Sequence, residues 1–340
     1  MSFDDISVLL LWTAIAIYTL GFLAFTVDLA RRSELAIKAQ DARTQARALV
    51  AAGGGQTIED IRAEEAAAKV ALEAAPSQRG RYLFARLGVV LTTIAFLFHV
   101  GADVTRGIAA GRVPWSNNYE FALTGTMLVV IVFLTVLVKF DLRFLGAFIN
   151  GLIVVLLGGA ALAYYVEVVP LSDPLKSVWL VIHVFVASLA SAFYALAFAL
   201  SVVQLLQSRR ERVALAAVGT DAAPRTRLPF LRTLPSAEVL ESLAYRFAII
   251  GFVLWTFTLI AGAIWANDAW GRYWGFDTKE VWTFVIWVVY AGYIHARATR
   301  GWRGTRSAWL SIVGFTAVLF NFTIVNQFFQ GLHSYSGLSS

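Results

Sequence analysis

The chain has 340 residues, of which 59% are hydrophobic and 15% are charged, and its mean hydropathy is +0.68. This composition leaves too few polar side chains to coat a soluble globule of this size, so it predicts a membrane protein. The net charge of +6 lies mainly in a few loops, which makes it a topology signal and argues against a nucleic-acid partner. Because the chain has no cysteine, any thiol chemistry must use the thiols of a partner.

Apolar segments long enough to cross a bilayer recur along the whole chain. About 20 apolar residues span the hydrocarbon core as a helix. The predicted fold is therefore all-α and polytopic, with about eight transmembrane helices near residues 6–29, 84–105, 121–138, 144–167, 176–205, 245–266, 281–297 and 307–328. The first segment opens with Asp4 and Asp5 and lacks the basic start of a signal peptide, so we expect it to be retained.

The basic residues predict the orientation of these helices. If the N-terminus lies outside, the inner loops hold 21 of the 28 Lys and Arg residues and the outer segments hold five. Such an asymmetry follows the positive-inside rule. We therefore expect a multi-pass plasma-membrane protein with both termini outside and an extracytoplasmic active face.

Composition divides the chain into three parts. Residues 1–32 hold the first predicted transmembrane helix. Residues 33–80 are rich in Ala, Glu and Arg with charges at helical spacing, which predicts a cytoplasmic helical insert of two stretches separated by glycines at 53–55. Residues 81–340 form the predicted membrane core, with a basic linker at 208–236.

The segment 265–282, with the sequence WANDAWGRYWGFDTKEVW, is unusually aromatic. A preference of tryptophan for the membrane interface accounts for one or two of its rings. The remaining rings predict an aromatic shelf on the outer surface that holds a flat apolar ligand with a polar edge. The rings of this shelf are Trp265, Trp270, Trp274, Phe276 and Trp282.

Four histidines are the scarce residues that can carry function. An ionisable side chain at membrane depth is a functional hypothesis by default. His183 and His333 are both predicted near the outer surface, on either side of the Trp-rich segment in sequence. Neutral imidazoles in such positions can be axial ligands of a haem iron, although each can also be an ordinary interfacial histidine.

The other two histidines are predicted at different depths. His295 lies at the inner end of the seventh segment, one turn from Ala291 and Gly292, whose small side chains leave room for a macrocycle face. The alternative is a histidine that snorkels to the inner interface. His99 lies about 20 Å above the inner surface, and we expect it to pair with Asp103 at i+4 more readily than to bind a metal.

Five motifs together resemble one family of membrane haem-handling proteins that carry a tryptophan-rich WWD segment. The resemblance is to the CcsA/ResC type of the system II cytochrome c synthase, and it runs from the second predicted helix to the C-terminus. Its motifs are the segment 265–282 together with PWSNNYEF at 114–121, LPSAEVLESLAYR at 234–246, YIHAR at 293–297 and GLHSY at 331–335. One departure is Phe276, where many relatives have Trp. The insert at 33–80 is not part of the pattern.

The resemblance implies a function and a set of site residues. His183 and His333 would hold haem b, the substrate, beside Trp265, Trp270 and Trp274. These rings and Asp277 would support thioether formation between the haem vinyl groups and the CxxCH cysteines of an exported apocytochrome c.

The same resemblance implies partners and a second haem site. His295 would provide one ligand of an inner haem, and a ResB-like membrane subunit would provide the other. Trp282 would also contact haem. Asp277, Lys279 and Glu280 would bind propionates or fix the loop, or they would pair with each other or with Arg272. An external thiol-reducing protein would keep the apocytochrome cysteines reduced.

Two other classes of function stay open from the residues alone. The chain can be a haem exporter or a system I-like haem-delivery protein. It can also be a membrane electron-transfer subunit with bis-histidine haems, although that class normally needs histidine pairs facing each other at two depths.

Overall fold

The computed structural model of the protein describes residues 1–52, 82–171, 173–216, 228–299 and 301–329. These residues form helices and connecting turns and contain no strand. The eight long helices are α1 (Phe3–Ala52), α2 (Leu83–Ala110), α3 (Asn118–Lys139), α4 (Gly146–Ala163), α5 (Val178–Ala216), α6 (Ala237–Trp270), α7 (Thr278–Thr299) and α8 (Thr305–Phe320).

Each of the eight predicted segments coincides with one of these helices. Seven of the helices are long and apolar enough to cross a membrane. The exception is α7, because its Trp, Tyr and His residues lower its hydropathy. The predicted class, an all-α polytopic membrane protein, is confirmed.

Several helices extend beyond the segments predicted from hydropathy, among them α1, α5 and α6. Helix α1 continues without a break across the predicted boundary at 32/33 and ends at Ala52. Helix α6 continues to Trp270, so the first six residues of the Trp-rich segment are helical. Residues 53–81, which hold the predicted glycine break and second stretch of the insert, lie outside the described residues.

Polar contacts show which connections lie together at one end of the bundle. The Arg106 guanidinium at the end of α2 lies 2.6 Å from Asp4 of α1 and 3.1 Å from Glu120 of α3. At the same end, Ser177 Oγ, just before the start of α5, donates to Asp268 near the end of α6 (3.1 Å). All these residues belong to the connections predicted to face outward.

The basic connections lie at the opposite end. Glu241 at the start of α6 accepts from Arg297 of α7 (3.2 Å) and from the backbone N–H of Gly304 before α8 (2.8 Å). Ser33 of α1 accepts from the backbone N–H of Phe230 (3.1 Å). The helices therefore alternate in direction as predicted, while the side of the membrane that each end faces stays a prediction.

The outer faces of the helices are apolar. Leu97, Val155 and Leu162 are 64%, 70% and 79% exposed, which suits contact with lipid. The interior contains buried polar groups such as Asn150 and Ser201. Most of these bond within the bundle, since water is absent at that depth.

Helices α5 and α6 pack closely because glycines of α6 face large side chains of α5. A Cβ atom added at Gly251 would lie 2.7 Å from the Tyr194 ring. A Cβ atom added at Gly262, three turns further along, would lie 2.7 Å from His183 Cε1. This packing fixes the position of His183 at the predicted outer end of the bundle.

Candidate functional site: a histidine-lined cavity at one end of the bundle

His183 is held in one orientation by helix α6. Its Nδ1–H donates to the backbone carbonyl of Thr258 (2.9 Å), and its ring stacks on Trp265 with centroids 5.9 Å apart and planes 27° apart. Because the proton is on Nδ1, the neutral ring carries its lone pair on Nε2. Histidines that bind metals commonly donate their other ring N–H to a carbonyl in this way.

Two adjoining cavities meet at His183. The larger, of about 140 Å³, lies among the ends of α3, α5, α6, α7 and α8, and the smaller, of about 70 Å³, lies towards the connection between α6 and α7. His183, Thr258, Trp265, Lys279 and Thr283 line both cavities and form the partition between them.

The size of the larger cavity limits how a haem can enter. Sites for cofactors and drug-sized ligands usually measure about 300–1,000 Å³, whereas this cavity measures about 140 Å³. The cavity as described is therefore large enough for the edge of a porphyrin but not for the whole ring. A whole macrocycle needs a shift of the partition or of the connection at 271–277.

Among the described residues, the rings of the predicted aromatic shelf lie in different groups and do not form one continuous surface. Trp265 is only 4% exposed, lies inside α6 and packs against Trp270 (centroids 5.0 Å apart). Trp274 and Phe276 are exposed and contact each other edge to face. The split follows the path of the chain, since Trp265 and Trp270 lie in α6, Trp274 and Phe276 lie in the connection at 271–277, and Trp282 lies in α7.

Trp282 is not part of either cavity. It packs against Phe320 of α8, with centroids 4.5 Å apart. Trp274 lines the smaller cavity, and Trp270 lines neither. The structure thus places Trp265 and Trp274 at a cavity that His183 also lines, whereas Trp270 packs against Trp265 and Trp282 packs against Phe320.

The connection between α6 and α7 is organised by Glu280. Its carboxylate accepts from the backbone N–H groups of Gly275 (2.8 Å) and Asp277 (3.2 Å) and lies 3.4 Å from the Arg272 guanidinium. Val281 N–H in turn donates to the Asp277 carbonyl (3.0 Å). Asp277 and Glu280 therefore occupy the first and fourth positions of a capping box, which supports the loop-fixing alternative for Glu280.

Gly275 and Phe276 have unusual surroundings in this connection. The Arg272 guanidinium lies over Gly275, and a Cβ atom added there would require this flexible side chain to move aside. Phe276 has a φ of 59°, in the left-handed region that residues other than glycine rarely adopt. Strained residues of this kind cluster at functional sites, and Phe276 is 80% exposed beside Trp274.

The predicted pairing of His99 with Asp103 is wrong. His99 is fully buried, with Nε2 2.9 Å from the Leu123 carbonyl and Nδ1 3.3 Å from the Tyr18 hydroxyl. Asp103 accepts from the Thr124 hydroxyl instead (2.8 Å). Tertiary contacts with α1 and α3 occupy both ring nitrogens, so His99 holds three helices together.

The other two histidines lie apart from the cavity or beyond what is described. His295 is exposed on α7, on a face that it shares with Val288 and Gly292. A Cβ atom added at Gly292 would meet nothing within 4 Å, so this face is open. His333 lies outside the described residues.

Several site residues could not be found from the sequence. Thr258 acts through its backbone carbonyl, which has no signature in the sequence. Gly262 is one of several glycines in apolar helices, and its partner His183 lies on another helix. The carboxamides of Asn321 and Asn326 appear in the cavity wall, whereas hydropathy assigned them to an ordinary transmembrane segment.

The fold and the cavity define a multi-pass helical membrane protein with a positioned histidine among aromatic rings near the helix ends. The family profile of the cytochrome C assembly protein matches residues 115–333, which begin at the cavity residue Trp115 and end at His333.

Curated relatives agree with this match over most of the chain. The cytochrome c biogenesis protein CcsA of Synechococcus elongatus is 32% identical over 76% of this chain and 89% of its own length. The proteins of the same name are 34% identical in Prochlorococcus marinus (68% and 78% covered) and 30% identical in Trieres chinensis (75% and 86% covered). The chain belongs to the cytochrome c assembly protein family and is of the CcsA/ResC type.

Proposed function

We propose that this chain is the haem-handling subunit of a system II holocytochrome c synthase. It binds haem b as a substrate at the His183 cavity and presents it to the CxxCH segment of an exported apocytochrome c. The observation that carries the proposal is the His183 imidazole, which is oriented by the Thr258 carbonyl and stacked on Trp265 at the wall of the cavity.

His183 and His333 are the proposed axial ligands of the haem iron. Family membership supports His333, because the matched region extends to that residue. The two ligands would fix the plane of the ring but not its rotation about the iron–histidine axis. Trp265 restricts the tilt of the ring by its contact with His183, and Trp274 covers the side nearest the connection at 271–277.

The proposed reaction is an addition across each vinyl double bond. The cysteine sulfur bonds to the vinyl carbon next to the ring, and the thiol hydrogen goes to the terminal carbon, so that no net electron transfer is required. The protein contributes positioning, which converts an encounter between two reactants into a reaction within one complex. The cysteines must arrive reduced, which calls for an external thiol-reducing partner.

A second, inner haem contact is proposed at His295. The open face of α7 beside Gly292 admits a flat ring, and no second histidine among the described residues lies near it. The remaining ligand would come from a ResB-like membrane subunit that packs on this face. Haem would then pass from the inner to the outer site.

Cytochrome c maturation in a strain that lacks its own synthase tests the proposal. His183→Ala and His333→Ala should each reduce covalently bound haem c by at least about tenfold, because each removes one of two iron ligands. Added imidazole should restore part of the activity by entering the empty axial position.

Ser191→Ala is a matched control in the same cavity. The Ser191 hydroxyl donates to the Ala187 carbonyl of its own helix (2.8 Å), so its removal should leave maturation near the wild-type level. Normal maturation in both histidine variants would refute the proposal. Haem export without any effect on maturation would favour the exporter alternative.

A further inference from the structure

One wall of the larger cavity is polar, in contrast with the aromatic wall beside His183. Its side chains come from the starts of α3 and α7 and from the turn after α8, namely Asn118, Lys279, Asn321 and Asn326. Lys279 is the sole Lys, Arg, Asp or Glu among the described residues that line this cavity.

These side chains form a connected chain of hydrogen bonds. Lys279 Nζ donates to Asn326 Oδ1, and Asn326 Nδ2 donates to Asn118 Oδ1 (2.9 Å). The ammonium group has three N–H donors, and this chain uses one of them. Lys279 therefore offers further donors and a positive charge to a molecule in the cavity.

A π turn places Asn321 in the same wall. Residues Asn321–Val325 form this turn where α8 ends, and a short helix, Asn326–Phe328, follows it. Single π turns in otherwise regular helices occur frequently at functional sites. Here the turn brings Asn321, Phe322 and Asn326 to the cavity together.

Among the described residues, no donor reaches the buried side-chain oxygen of Asn321. The side chain is 6% exposed, its Nδ2 donates to Thr283 Oγ1 (3.3 Å), and its Oδ1 accepts no hydrogen bond from the part of the chain that the structure describes. A buried polar atom left unpaired is costly, and it calls for an explanation by a bound molecule or water. A carboxylate bound to Lys279, with one bridging water, would satisfy both Lys279 and Asn321.

We infer that Lys279, Asn118, Asn321 and Asn326 form a carboxylate-binding subsite that receives a propionate of the haem held at His183. This inference rests on the proposed function and adds to it the orientation of the haem ring in the cavity. With one propionate held at the polar wall and the iron at His183, the ring has one preferred rotation about its iron–histidine axis. The vinyl edge then faces the incoming cysteines in a single orientation.

Binding of haem and of haem dimethyl ester to the purified full chain tests this subsite. The ester lacks the propionate charges but keeps the iron and the vinyl groups. The wild-type protein should bind haem at least about tenfold more tightly than the ester, since hydrogen bonds to charged groups contribute this much. Lys279→Met should weaken haem binding by about tenfold and change ester binding by less than about twofold.

Two further variants make the test specific. Lys279→Arg keeps the charge and should keep most of the preference for haem. Lys176→Met is the control, because Lys176 lies in another connection at the same end and pairs with Asp173 on the surface (2.7 Å). It should leave both affinities unchanged.

The outcomes separate this inference from the proposed function. Equal losses for haem and ester in Lys279→Met, or no loss for either, would overturn the subsite. Weaker binding of an acidic CxxCH peptide by Lys279→Met, with haem affinity unchanged, would assign the wall to the polypeptide and also overturn it. If His183→Ala leaves the haem spectrum unchanged while the preference for haem over its ester still depends on Lys279, the ligand assignment fails and the subsite stands.

Discussion

At the scale of single residues, the site depends on contacts between helices that are far apart in sequence. The sequence predicted His183 and Trp265 as site residues because histidine and tryptophan are chemically conspicuous at that depth, and the structure places both at the cavity wall. It could not identify Thr258 or Gly262, which support His183 through a backbone carbonyl and through the absence of a side chain. His99 shows a different error. Its spacing predicted a pair with Asp103 on the same helix, whereas its ring nitrogens contact groups on α1 and α3.

The close approach at Gly262 gives a residue-scale prediction. In Gly262→Ala the new methyl group would lie 2.7 Å from His183 Cε1, so the imidazole or helix α6 must move. We expect the purified variant to lose most of its bound haem and to unfold more easily by about 1–3 kcal/mol, the usual cost of overpacking. Haem content and thermal unfolding measure the two effects.

Gly158→Ala is the matched control for this variant. Gly158 also lies within a transmembrane helix, but a Cβ there would meet nothing within 4 Å. It should keep wild-type haem content and stability. If Gly262→Ala behaves like Gly158→Ala, the packing account of His183 is wrong.

At the scale of elements, hydropathy located all eight helices but not their ends. The Trp-rich segment is part helix, part connection and part helix again, so its rings point in different directions. The end of α6 and the start of α7 depend on Gly271 and on the capping box of Asp277 and Glu280, which an apolar window does not detect. The connection itself is only seven residues long, from 271 to 277.

We expect the Glu280 carboxylate to hold the connection at 271–277 in one conformation. Glu280→Gln removes the charge that accepts from Gly275 and Asp277 and that faces Arg272. Hydrogen bonds to a charged group contribute about 1.5–3 kcal/mol, so the amide hydrogens of Gly275 and Asp277 should exchange at least about tenfold faster. Hydrogen exchange read by mass spectrometry measures this change.

A control on another connection at the same end distinguishes a local from a general effect. Asp173→Asn removes an exposed pair with Lys176 and should leave exchange at 271–277 unchanged. Equal exchange in Glu280→Gln and the wild type would show that the carboxylate does not hold the connection.

At the scale of the whole molecule, the basic residues and the polar networks agree on which connections share one end of the bundle. The cavity, the Arg106–Glu120 pair and the Asn118–Asn326–Lys279 chain lie at the end with few basic residues. The polar interior was less predictable, because hydropathy does not distinguish an apolar segment that contains buried carboxamides and serines from an ordinary membrane helix.

Orientation in the membrane follows from this charge asymmetry. A reporter fused after Ser340, active only outside the cytoplasm, should be active, and the same reporter inserted after Thr220 in the basic linker should be inactive. Reporter activity in whole cells, corrected for the amount of protein, measures both. The reverse pattern would place the cavity on the cytoplasmic side and remove its access to exported apocytochromes.

The spectrum of ferric haem in the purified His183→Gly variant tests the central claim most directly. We expect low-spin haem with two imidazole ligands in the wild type and in Ser191→Ala. In His183→Gly we expect a shift to high-spin haem that millimolar imidazole reverses, because the removed side chain leaves room for the free ligand. A His183→Gly protein with wild-type haem content and an unchanged low-spin spectrum would contradict the assignment of His183 as an iron ligand.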